Sequence, residues 1–199
     1  DYAVFLFSAL VPWRYFEKVV TTCMDSIVQG DWLLRKLPVS PFALPLTRWM
    51  VATAEFGFSF LAVFVIFALL HRRFTVHCLV LPLSALPWAL CGLGVGLVCA
   101  ALFTFFRDIR PIVSLALMFA FFSAPILFKA DLYAPHTLQA SLLTWHPLTY
   151  FAALFQKPVY YGAWPSALDW AASSSAALLS LLLGVAVVWR CRDRFYFYL

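Results

Sequence analysis

The chain has 199 residues, of which 64% are hydrophobic, 19% aromatic and only 12% charged, with a formal net charge of +5 and a mean hydropathy of +0.90. Such an apolar share exceeds that of a soluble domain, so the sequence reads as an integral membrane protein, and nothing in it calls for a nucleic-acid partner. Its five cysteines, Cys23, Cys78, Cys91, Cys99 and Cys191, form no CxxC pair and indicate neither a disulfide framework nor a metal site.

The first residue is Asp1, no basic leader or cleavage site precedes the first apolar run, and a truncated or partly ordered chain is expected. A bilayer-crossing helix takes about 20 apolar residues. Five runs are expected to span: 2–28, 49–70, 78–106, 112–128 and 168–189. The first is the least regular, because Pro12 interrupts it and Arg14, Glu17 and Lys18 follow within two turns; a helix opening at Pro12 is the alternative. These charges, and Glu55 about two turns into the second run, must face protein or water. Arg14 shares a helix face with Glu17 and with Lys18, so mutual neutralisation and the lining of a polar path are both open readings.

Between the first two runs lies "GDWLLRKLPVSPFALPL", residues 30–46. Leu33, Leu34 and Leu37 recur at helical spacing beside Arg35 and Lys36, and Pro38, Pro41 and Pro45 then forbid a continuous helix. A short amphipathic helix is expected, either anchoring on acidic lipid headgroups or docking a soluble partner.

The third run carries small residues at spacings of three and four, Ala85, Ala89, Gly92, Gly96 and Ala100, where another helix can approach closely. After it comes "FFRDIRPIV", residues 105–113, which gathers Arg107, Asp108, Arg110 and Pro111 between two apolar runs. It reads as a tight turn at the membrane surface whose proline opens the next helix. If the carboxyl end is cytoplasmic, Arg35, Lys36, Arg48, Arg107, Arg110, Arg190, Arg192 and Arg194 lie inside, against Arg72, Arg73, Lys129 and Lys157 outside. The excess of Lys and Arg favours that orientation, with the Arg72–Arg73 pair counting against it.

Residues 129–168 form the longest outer segment. Within "TLQASLLTWHPLTYFAALF", Pro147 beside His146 divides a nearly span-length run into two half-helices that enter and return. Trp145, Tyr150, Phe151, Phe155, Tyr160, Tyr161 and Trp164 cluster there, as an aromatic belt at headgroup level or as a rim on which sugar rings stack. In the fifth run Ala172, Ala176, Ser180 and Gly184 repeat every four residues, a second stripe for helix packing within one subunit or between two. Catalytic constellations are lacking: the sequence has no P-loop, HExxH, DxD or GxSxG, and His71, His77, His136 and His146 do not have metal-ligand spacing.

Taken together, four stretches resemble one family. "LFSALVPWRYFEKVV" is similar to the second span of the permease subunits of type 2 ABC exporters, specifically the O-antigen and teichoic-acid polysaccharide exporters. "LLRKLPVSPFALPL" resembles their cytoplasmic coupling segment and "FFRDIRPIV" their Phe-Arg-Asp turn. "WHPLTYFAALFQKPVYYG" resembles the Asn-Pro-Leu/Met-Thr segment that opens the second outer re-entrant helix, with His146 in place of Asn. The resemblance covers essentially the whole chain. It implies an all-α, polytopic helical fold with five spans visible of six and outer re-entrant half-helices between the last two. The chain would be a single permease domain over 1–199, with the family's amino-terminal interfacial helix and first span absent.

It further implies a homodimer in the bacterial inner membrane that moves a glycan on a lipid pyrophosphate carrier. Two separate cytoplasmic ATPase subunits would power it, so that ATP and Mg belong to the partner and this chain binds no cofactor and is not an enzyme. Coupling to the ATPase would run through Leu33, Leu34, Arg35, Lys36 and Leu37 in segment 30–46, with Arg107 and Asp108 nearby. The glycan path would involve Arg14, Lys18, Trp145, Tyr150, Tyr160 and Tyr161, and helix packing Gly92, Gly96, Ala176 and Gly184. Two other readings compete: a permease of the same superfamily for a drug or lipid, and a membrane-embedded transferase acting on lipid-linked sugars, for which Glu55 is a poor catalytic candidate.

Overall fold

The structure is a computed structural model and describes residues 2–36, 40–71, 76–127 and 146–198. These residues form helices α1 (Tyr2–Gln29), α2 (Asp31–Lys36) and α3 (Ala43–His71), then a 3₁₀ turn, Val76–Val80, that runs into α4 (Leu81–Phe105). They continue with α5 (Ile109–Ser123), α6 (Pro147–Gln156) extended by a π-helical turn, Lys157–Tyr161, and α7 (Ala167–Tyr198). No strand occurs among the described residues. Among the described residues two helices have the length and composition to cross a membrane, Val76–Phe105 and Ala167–Arg192, while Ile109–Ser123 is a shorter apolar helix. The described residues are thus all-helical, with two apolar candidate spans among them, a pattern that fits a helical membrane protein. α1 has the length but contains Arg14, Glu17, Lys18 and Asp25, and α5 stops at Ser123 where the sequence pattern continues to 128.

α1 is the hub. Pro12, expected to interrupt it, sits buried inside one continuous helix. A proline costs a helix one backbone bond and some steric strain, and packing on the buried sides of α1 holds it together. Val19, Val20, Cys23 and Ile27 are inaccessible to solvent, with Trp13 and Met24 nearly so. α4 lies along α1 because glycine lets it: a Cβ on Gly92 would come 3.2 Å from Val19 Cγ1, and one on Gly96 would come 2.8 Å from Cys23 Cβ. On its opposite side α4 meets α7 even more closely, where a Cβ on Gly94 would be 2.3 Å from the Ser180 carbonyl carbon and one on Gly184 would be 2.4 Å from the Gly94 oxygen.

α6 is wedged among α1, α4 and α7, with Phe151, Ala152, Leu154 and Phe155 fully buried. Trp88 Nε1 of α4 donates to the Phe151 carbonyl at 3.0 Å, and Gln156 Nε2 donates to that of Pro125 at 2.9 Å. Phe151 and Phe155 therefore belong to the core rather than to an outer rim. The buried hydroxyls of Ser8, Ser26, Ser84, Thr104 and Ser173 each donate to a carbonyl of their own helix, which satisfies a polar group where no water reaches.

The helices alternate in direction and sort their termini to two ends. At one end the Tyr2 hydroxyl donates to the Leu127 carbonyl at 2.9 Å, Phe5 meets Tyr160 edge-on at 5.4 Å, and His77 meets Trp164 at 4.9 Å. At the other, Ile27, Leu97, Ala101 and Val188 form a cluster with Phe42, Leu44 and Phe105. Lys36, Arg48, Arg107, Arg110, Arg190 and Arg192 all fall at this second end. It is the end that the orientation expected from the positive-inside rule would place in the cytoplasm. In a cysteine-free background, a single cysteine beside Arg192 is expected to react only with reagent applied from the cytoplasm, and one beside Tyr160 only from outside. The opposite pattern would invert the orientation.

Candidate functional site

The exposed face of α1 is where the site is built. A helix otherwise enclosed by neighbours leaves Arg14, Lys18, Asp25 and Gln29 in one stripe at spacings of four and seven, with Glu17 and Thr21 beside it. Arg14 Nη1 lies 2.9 Å from Glu17 Oε2, with the guanidinium side chain 70% exposed. Lys18 does not share in that pair; its ammonium contacts Glu55 Oε2 of α3, both side chains about half exposed. Further along, Arg110 Nη2 reaches Asp25 Oδ2 at 3.1 Å, so the turn between α4 and α5 is tied to α1. Arg48 Nη2 closes the row by donating to Gln29 Oε1 at 3.1 Å. Tyr15 and Thr53 share a hydrogen bond of 2.7 Å between α1 and α3 behind the charged row. Charges that faced lipid at this depth would be costly, by about 2.5–3.5 kcal/mol each on insertion scales. If α1 crosses a bilayer, this face looks onto water or onto further protein.

At the end where Lys and Arg accumulate, α2 turns off Gly30. A concavity of about 290 Å³ between α1, α2 and α3 is lined by Ser26, Gln29, Trp32, Leu33, Thr47 and Arg48, among others. Leu33 is half-buried, its N–H bonding the Gly30 carbonyl at 3.0 Å, and Lys36 is exposed. Leu37 and the side chains of Leu34 and Arg35 lie outside the described residues. Trp32, 62% exposed, is the prominent side chain here. The sequence reading passed over it, although a tryptophan in so charged a run was a visible signal. Arg107 is exposed and lies over the Phe103 ring at 5.7 Å, and Asp108 is exposed at the head of α5 without capping it through its side chain.

Trp145 lies outside the described residues, as does the first of the two expected half-helices. Tyr150 and Tyr160 are half-buried, whereas Tyr161 and Trp164 are exposed; Tyr160 and Tyr161 meet edge-on at 5.0 Å. His146 precedes Pro147 in extended backbone, with Nε2 3.1 Å from Ser123 Oγ, and desolvation lowers its pKa, keeping the ring neutral.

Asp169 is the buried charge the sequence reading missed. Its Oδ2 accepts from Lys157 Nζ at 2.5 Å and from the Ser166 N–H at 2.7 Å, and Ser166 Oγ accepts from the Asp169 N–H at 3.2 Å. Ser166-Ala-Leu-Asp169 is a capping box written with Asp, and Lys157 fastens the π turn to it. Of the packing residues, Gly92, Gly96 and Gly184 make close helix contacts within the chain and Ala176 is partly buried against the core.

No protein-family model matches the chain. Curated relatives do. An O-antigen export system permease protein, RfbA, of Klebsiella pneumoniae is 28% identical over 150 residues, or 74% of this chain and 57% of the relative. A second Klebsiella pneumoniae protein of that name is 25% identical over 149 residues with the same coverage. RfbA of Myxococcus xanthus is 23% identical over 195 residues, 98% of this chain and 75% of the relative. The chain thus spans 57% of the length of the Klebsiella relatives. The motifs and the relatives point the same way: over most of its length this chain is similar to the permeases of O-antigen ABC export systems.

Proposed function

We propose that the chain is the channel-forming permease part of an ATP-driven exporter that moves a lipid-linked polysaccharide across the bacterial inner membrane. The observation that carries this reading is the similarity to O-antigen export permeases along as much as 98% of the chain. In this reading α1, α3, α4, α5 and α7 are five crossings, two copies pair to enclose the path, and a separate cytoplasmic ATPase subunit supplies ATP hydrolysis with Mg. The α1 face bearing Arg14 and Lys18 forms the wall of the path. Tyr150, Tyr160 and Tyr161, with Trp145, serve the glycan at the outer mouth, where aromatic faces suit sugar rings. Weak, repeated contacts suit a moving polymer, since conduction needs release as readily as binding.

Coupling is assigned to residues 30–46 together with Arg107 and Asp108, all at the end where Lys and Arg accumulate. Restoration of surface O-antigen in a strain that lacks its permease but retains the ATPase tests the function directly; failure of the full-length protein to restore it, when inserted at normal abundance, rejects the reading. Exposed aromatic anchors with charged rims dominate protein docking. The double substitution Trp32→Ala, Lys36→Glu is therefore expected to lower co-purification of the ATPase subunit at least tenfold, an expected loss of about 1.4 kcal/mol or more. Undiminished co-purification would move the docking surface elsewhere.

A further inference from the structure

We infer that the translocation path offers a charge-compensated wall suited to an uncharged, hydroxyl-rich glycan and unsuited to a polyanionic one. This rests on the reading of the α1 face as the wall of that path. Three cations and three carboxylates alternate along the face, and each cation has a carboxylate against it: Arg14 with Glu17, Lys18 with Glu55, Arg110 with Asp25. From Arg14 to Asp25 the row extends roughly 16 Å at the α-helical rise. Two of the three pairs join separate elements, so compensation is a property of the fold and not of one helix.

The electrostatic consequence follows from pairing. A lone cation in a conduit with low-dielectric walls concentrates anions by about 10 to 1,000-fold, and a polyanion would stall on a row of them. Opposite charges in contact cancel beyond a few ångströms, leaving neither sign to attract a charged polymer. To bind here, a polyanion would have to take Arg14, Lys18 or Arg110 from its carboxylate and would then meet that carboxylate's repulsion. Sugar hydroxyls face no such conflict, because each both donates and accepts and can bridge the two members of a pair. Among the described residues Arg48 has no carboxylate against it; it donates to the Gln29 amide at the cytoplasmic mouth, where the row ends.

The test uses the full-length chain in complex with its ATPase subunit, its native cysteines replaced. Thr21→Cys, placed between Lys18 and Asp25 on this face, is reacted with an anionic and a cationic methanethiosulfonate of similar size. Both are expected to react, with a rate ratio within about twofold of that for free cysteine. Glu55→Gln, which releases Lys18, is expected to shift the ratio about tenfold toward the anionic reagent. Glu17→Gln, which releases Arg14, repeats the measurement should the first variant fold poorly. Labelling by neither reagent means that protein covers the face, and overturns the path reading together with this inference. Labelling by both with a strong preference for one sign in the Glu55 background, or an unchanged ratio in both Gln variants, leaves the path reading standing and overturns the inference alone. A neutral and a uronic-acid-bearing glycan of equal length on one carrier give the matching export comparison: the neutral one should cross faster, and equal rates refute compensation as a selectivity device.

Discussion

Gly94→Val is expected to destabilise the purified protein by about 3 kcal/mol or more, measured as the shift in its unfolding transition in detergent. The reason is geometric. Merely adding a Cβ at Gly94 brings it within 2.3 Å of the Ser180 carbonyl carbon and 2.4 Å of the Leu181 nitrogen, so the obstruction is backbone that no rotamer change can clear. Repulsion of that kind is relieved only by separating α4 from α7, and in a membrane close backbone packing is what holds two helices together. Gly184→Val should behave alike, since the Cβ there would meet the Gly94 oxygen at 2.4 Å. The two glycines serve one contact, and the double variant should cost clearly less than the sum of the singles. Gly57 is the control: a Cβ there meets nothing within 4 Å, so Gly57→Ala should be neutral or stabilising by about 0.5–1 kcal/mol through helix propensity. A Gly94 variant that unfolds with the Gly57 variant would mean that α4 and α7 do not touch in this way.

Asp169→Ala is expected to cost about 3 kcal/mol, from loss of a helix cap and of a buried partner for Lys157. Asp169 is only 4% exposed and accepts from two donors, and the Lys157 side chain is about two-thirds buried. Removing the carboxylate strands the ammonium and frees the Ser166 N–H together. Asp169→Asn retains an acceptor for the cap and should lose less. Pairing Asp169→Ala with Lys157→Met removes both charges, and should recover much of the loss because an absent pair is cheaper than a broken one. Equal unfolding midpoints for the single and double variants would disprove the ion pair as the source of the effect.

The runs at 2–28, 49–70 and 168–189 each fall within one helix, α1, α3 and α7, because apolar run length is a local quantity, whereas α5 ends at Ser123, short of the run expected there. The line Gly92, Gly96 was equally plain, since residues four apart share a face, and it does meet α1. Gly94 was overlooked because it sits on the opposite face of α4, where a stripe of one small residue gives no period to detect. Charge pairing was legible only within α1: the spacing offers Arg14 with Glu17, which do pair, but says nothing of Glu55, which approaches from α3, or of Arg110. Phe151 and Phe155 looked like their exposed neighbours Tyr161 and Trp164 because an aromatic residue favours both a core and an interface. Only the wedging of α6 among three helices separates them. Asp169 could have been found, as Ser166-x-x-Asp169 stands at the start of an apolar run.

The ion pairs of α1 also order its biosynthesis. Ribosomes deliver α1 to the insertion machinery before α3, so Lys18 emerges 37 positions ahead of Glu55 and Asp25 emerges 85 ahead of Arg110. On its own α1 is a poor candidate for release into lipid, with four charged residues in 28. Until α3 and the first turn of α5 have been made, Lys18 and Asp25 lack the countercharges that those elements bring. The pairs between elements thus close in chain order, Lys18–Glu55 before Asp25–Arg110.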